Sequence, residues 1–255
     1  MSTVLSQNEI DELLNALHIG EAGESATEEK QEVRLYDFKT ANKFSKEHMR
    51  TLNVIFENFS YLLSTGLTGM LRTICEANII SIEEQRFGEF NNSILSPVVL
   101  GVVDMQPLNG SILIEMSASL AYGIVSRLFG GAAEYIEVSK SFTEIEILMI
   151  ENVMQKILGY LSESWAKACE VKSSLQRIET SSQFTQITEM NEPVAIVAIN
   201  IKIDKVEDMM SICIPHVALQ PIAKKLTATT WALGTAPQVS QQTNEAIKSK
   251  SKTLK

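Results

Sequence analysis

The 255-residue sequence is short of cysteine, of aromatic residues and of positive charge. Its three cysteines, Cys75, Cys169 and Cys213, form neither a CxxC pair nor an even framework, which excludes a disulfide scaffold and suits a reducing compartment. The formal charge is -9, and the one basic cluster is the final KSKSKTLK, so nucleic acid is not an expected partner. No apolar run approaches the ~20 residues of a membrane helix. The opening MSTVLSQNEIDELL carries acids where a signal peptide needs basic residues. A soluble cytoplasmic protein is expected.

Chemistry-bearing patterns are scarce too. There is no GxxxxGK phosphate loop and no GxGxxG, and the histidines His18, His48 and His216 lie far apart from one another and complete no metal-binding motif. Adjacent acids such as Glu83 and Glu84 alternate across a strand and do not converge as an acid–base pair. No catalytic residue, metal or cofactor is expected, and the protein is not read as an enzyme.

What the sequence does contain is a repeat. The stretch 44–75 returns at 142–169, an offset of 98 (142 − 44). Leu52, Ile55, Phe56, Phe59, Leu63 and Leu67 fall on Ile150, Val153, Met154, Ile157, Leu161 and Trp165, and each copy has the i, i+3, i+4, i+7 spacing of an amphipathic helix. Ile112, Ile114 and Met116, alternating as a half-buried strand does, map at the same offset to Met210, Ile212 and Ile214. The expectation is an α+β, pseudo-two-fold domain of two helix–strands–helix halves, about 44–131 and 142–226. Strands are expected over 79–90, 98–105 and 111–116 in the first half, and over 175–188, 194–203 and 207–214 in the second. A short helix is expected over 117–128 and another over 216–226, where Pro221 would delay or kink it. Ser45 is a plausible cap for the first long helix, and the second is expected to begin at Thr143.

The halves differ at the end of the first short helix, where Gly130, Gly131, Ala132 and Ala133 follow Phe129 while Ala228 and Thr229 stand at the positions matching the glycines. This is either a plain helix stop or a loop whose bare backbone lets another protein approach closely.

Ahead of the repeat lies a short amphipathic helix signal. Ser6 and Glu9 form a capping box, Ile10, Leu13, Leu14 and Leu17 share one face, and no core stands beside them. Such a helix is marginal alone and orders on contact. It is either an arm folded back on the body or a tethered recognition peptide. The organisation expected is a binding peptide at 1–19, a flexible acidic linker at 20–35, a body at 36–226 and a disordered tail at 227–255.

Several of these segments resemble the flagellar motor switch FliM family: LSQNEIDELL near the N-terminus, YDF at Tyr36 to Phe38, FSKEHMRTL at the start of the first long helix, the double-glycine loop, FTEIE at Phe142 to Glu146, and CIPH at Cys213 to His216. The repeated body likewise resembles the CheC-type α/β/α fold. The resemblance implies a motor switch component at the inner face of the membrane. In it Leu5, Ser6, Gln7, Glu9, Ile10, Leu13, Leu14 and Leu17 would bind phosphorylated CheY, the loop from Gly130 to Ala133 would contact FliG, and the body would pack beside its own copies in a ring. The family's loop usually reads Gly-Gly-x-Gly, and here the fourth position is Ala133. The family also carries a C-terminal domain that joins FliN; only 29 residues (255 − 226) follow Leu226, too few for it, so the FliN contact is not expected. The alternative is a CheC-like phosphatase of CheY, whose members resemble one another in a Glu-x-x-Asn on the long helices. Neither helix carries it, and Glu57–Asn58 and Glu151–Asn152 are instead adjacent.

Overall fold

The computed structural model describes residues 44–134 and 141–226. The expected peptide, linker and tail lie outside the described residues. The first long helix, α1, spans Lys46–Leu71 and is capped by Ser45, whose hydroxyl accepts from the His48 amide. Its apolar stripe Leu52, Ile55, Phe56, Phe59, Leu63 and Leu67 is fully buried. The second, α4 (Glu144–Trp165), begins with a complete capping box between Thr143 and Glu146. Its Ile150, Val153, Met154, Ile157 and Leu161 face the same core. Phe56 meets Phe59 and Trp165 edge to face, and burial of such rings is worth ~1.5–3 kcal/mol each.

The strands are β1 (Cys75–Arg86), β2 (Val98–Gln106), β3 (Ser111–Ser117), β4 (Lys172–Glu179), β5 (Pro193–Ile203) and β6 (Val206–Pro215). They form one sheet, every pairing antiparallel, in the order β1-β5-β6-β3-β2-β4. Exchanging the halves of that order and reversing it gives the same order, so a pseudo-two-fold axis runs between β3 and β6. Ile114 pairs directly with Ile212, its own repeat mate at the offset of 98 (212 − 114), which puts the axis through that pair. One sheet face packs on α1, α4, α3 (Ala118–Leu128) and the C-terminal turn; the opposite face is covered in part by α2 (Phe87–Ser93), with Phe87 and Phe90 inserted among Val98, Leu100, Leu113, Val194 and Ile196.

Four details differ from the sequence expectation. The expected strand 79–90 begins at Cys75 and stops at Arg86. It begins early because Arg72 ends α1 in the left-handed region and Thr68 and Ser64 hydroxyls accept the Cys75 and Ala77 amides. It stops early because the Phe87 and Gly88 amides donate to the Glu192 and Met190 carbonyls and the chain turns into α2. The expected strand 175–188 is β4, starting at Lys172 and ending at Glu179, followed by a 3-10 turn at Ser182–Phe184. The expected helix 216–226 is one α-turn, α5 (His216–Leu219), continued as a 3-10 helix Gln220–Lys225, since Pro221 has no amide to give an α-helical bond. Finally, α4 ends at Trp165, so Cys169 lies beyond it.

The offset itself changes within the sheet. The β2–β3 turn holds the four residues 107–110, whereas the β5–β6 turn holds only Asp204 and Lys205. Gly101 pairs with Ile114 and Val197 with Ile212, so the strands ahead of these turns, and the outer strands bonded to them, correspond at 96 (197 − 101). The register slips at Ile80 in β1 and at Gln176 in β4 (176 − 80), one bulge in each edge strand. The helix–strand ties repeat as well: Ser64 accepts from Ala77, and Ser162 accepts from Ser173.

Candidate docking site

The double-glycine loop grows out of the end of α3. The Phe129 amide donates to Val125, Gly130 to Arg127 and Gly131 to Ser126, the bond pattern of a Schellman stop. The two glycines are needed for different reasons. Gly130 has φ +85, with open space where a Cβ would stand, so its requirement is conformational. Gly131 has an ordinary φ, but a Cβ there would come to 2.8 Å from Ser126 Oγ and 3.2 Å from Ser126 O. That hydroxyl also donates to the Ala132 carbonyl at 2.8 Å, folding the loop back over the helix end.

Three segments converge on this loop. Arg127, in the last turn of α3, donates from Nη1 to Gly131 O (3.0 Å) and from Nη2 to Leu71 O (3.1 Å) and Arg72 O (3.2 Å). One guanidinium thereby joins the loop to the end of α1, using the fork geometry special to arginine. Asp204, at φ 51 in the β5–β6 turn, accepts from the Thr73 hydroxyl and the Ala133 amide and lies 3.5 Å from Arg127 Nη1. The Thr73 hydrogen bond, with the Ala133 amide, Arg127 and Lys205, holds the Asp204 carboxyl below its ordinary range. Next to it Lys205 pairs with Glu134 at 2.9 Å; their hydrogen bond and mutual attraction lower the Glu134 carboxyl and raise the Lys205 ammonium.

Of the loop residues singled out from the sequence, Gly130, Gly131 and Ala132 are exposed, while Ala133 has 0% of its surface exposed and packs in the main core. Alanine at the fourth position therefore adds a methyl to the interior and nothing to the outer surface. Sequence reasoning missed Arg127, Asp204, Thr73 and Ser126. An arginine in a helix's last turn was a weak signal; Asp204 had none, being 71 residues from the amide it accepts. The N-terminal residues Leu5, Ser6, Gln7, Glu9, Ile10, Leu13, Leu14 and Leu17 lie outside the described residues.

No group of three or more His, Cys, Asp or Glu suited to a metal occurs among the described residues, and Cys75, Cys169 and Cys213 are free and buried. Burial pushes the Cys75 thiol up to about 11, against the Thr68 hydrogen bond, and burial raises Cys213 further. On the outer face of α1, Asn53 donates to Glu57 at 2.6 Å. Asn precedes Glu there, four residues apart, and the Glu-x-x-Asn order is not restored. Among the described residues no helix is long and apolar enough to cross a membrane.

The class is that of a pseudo-symmetric α+β domain, one six-stranded antiparallel sheet with helices on its faces, in which the glycine pair that closes α3 has no sequence counterpart in the second half. The family model for the flagellar motor switch protein FliM matches residues 45–231. FliM of Treponema pallidum (strain Nichols) is 38% identical over 234 residues, covering 91% of this chain and 68% of that protein. FliM of Bacillus subtilis (strain 168) is 36% identical over 231 residues, 89% of this chain and 70% of the relative. Among solved structures, a chain of the FliG–FliM complex from H. pylori superposes with a TM-score of 0.69 at 28% identity, covering 71% of this chain and all (100%) of that one. The chain belongs to the flagellar motor switch protein FliM family, and its role is that of a structural component of the motor switch.

Proposed function

We propose that this switch component takes phosphorylated CheY on its N-terminal peptide, passes the signal to FliG through the Gly130–Ala133 loop, and packs beside its own copies on the inner face of the membrane. The observation that carries the proposal is the double-glycine loop: its glycines have no sequence counterpart at Ala228 and Thr229, and in the first half they form a clamped stretch of exposed backbone. The H. pylori chain that matches this domain comes from a FliG–FliM complex, which supports FliG as a partner of this domain. On the peptide, Ile10, Leu13, Leu14 and Leu17 form the buried face and Leu5, Ser6, Gln7 and Glu9 its capped start. Tethering raises the local concentration of CheY beside the ring, and differential binding then shifts a two-state rotor contact.

The test titrates CheY-phosphate and FliG separately against the whole chain, a version starting at Gly20, and Gly131→Leu. The shortened chain should lose CheY capture and keep FliG; Gly131→Leu should weaken FliG binding by about tenfold or more and keep CheY. The lifetime of the CheY phosphate should stay unchanged throughout. A shortened lifetime would favour the phosphatase alternative, and FliG binding indifferent to Gly131→Leu would remove the loop from the contact.

A further inference from the structure

The loop's clamp also holds the turn after α1, and that turn carries an apolar side chain in the open. Ile74 is 77% exposed although the backbone on both sides is tied down. Leu71 and Arg72 carbonyls accept from Arg127, the Thr73 hydroxyl donates to Asp204, and the Cys75 amide donates to Thr68. Two residues after Arg127, Phe129 is 65% exposed at the end of α3. A mobile side chain could bury itself at small cost; these two stand on backbone fixed by hydrogen bonds. Apolar anchors beside exposed backbone, on preorganised segments, are the residues that dominate binding energy.

We infer that the FliG-facing surface is composite: Ile74 and Phe129 are its apolar anchors, one on each of the two segments that Arg127 ties together, and Arg127 is the positioning residue that keeps those segments in register. This rests on the reading of the loop as the FliG contact. Nothing in the loop's own sequence includes Ile74, which enters only because Arg127 spans Leu71, Arg72 and Gly131. The partner chemistry implied is a FliG patch with an apolar centre and hydrogen-bonding groups for the loop carbonyls.

The experiment compares FliG affinity of the full chain with Ile74→Ser, Arg127→Lys and Gly131→Leu, alongside melting temperature and amide exchange at 130–133. Ile74→Ser should weaken FliG about tenfold with no change in melting. Arg127→Lys keeps the charge but not the fork, so it should speed exchange in the loop and weaken FliG, while CheY capture stays intact. Ile74→Ser binding like the unaltered chain while Gly131→Leu fails would overturn the composite surface and leave the loop reading standing. Indifference of all three would sink both. Full affinity and unchanged loop exchange in Arg127→Lys would reduce Arg127 to a charge and overturn its positioning role.

Discussion

Glu115 sits in β3 beside its repeat mate's strand, on the sheet face away from the long helices. Burial raises its carboxyl above the ordinary range, against a hydrogen bond from Ser211, with Asp208 and its negative charge adding to the rise. In the unfolded chain the same carboxyl ionises at its usual pH. Between the ordinary value and the raised one, the folded state holds more protons than the unfolded, so stability falls as pH rises through that window. Glu115→Gln should remove this decline: its melting temperature should match the unaltered chain at acid pH and exceed it at neutral pH, as followed by circular dichroism. Asp204 has the opposite sign. Its carboxyl is held low by Thr73 first, so the clamp it forms is present at neutral pH and is released as pH falls through the lowered value.

Among the elements, α1 and α4 pack against each other at Gly66, where a Cβ would stand 2.2 Å from the Tyr160 ring. Gly66→Leu should cost ~1–3 kcal/mol by overpacking, measured by urea unfolding. In a Tyr160→Ala background, Gly66→Ala should instead stabilise the chain by ~0.5–1 kcal/mol, because only the helix propensity gain remains. Both long helices were legible from sequence, since their apolar stripes are periodic and local caps at Ser45 and Thr143 fix their starts. The glycine stop after Leu128 was legible for the same local reason. Phe87 and Phe90 were not: read alone they extend a strand, and only amides bonded to carbonyls about a hundred residues away turn them into α2. The clamp at the loop was invisible likewise, because Arg127, Thr73 and Asp204 meet through tertiary contact.

For the molecule as a whole, the strand order makes the halves mutually dependent. Among the described residues, the first half's β1 pairs only with β5, and the second half's β4 only with β2. Each half alone would leave one strand without its partner and one face of its long helix open. A chain cut between 134 and 141 should therefore give pieces that stay unfolded separately and regain cooperative melting when mixed; independently folded pieces by circular dichroism would contradict this. The matched bulges at Ile80 and Gln176 act on the same scale. An unbroken outer strand invites a neighbour to extend the sheet by backbone pairing, which would fuse adjacent subunits into a single continuous ribbon. A slip midway along both outer strands spoils that template at either edge. If copies do stand side by side, as proposed above, they would meet through side chains rather than by continuing one another's sheets.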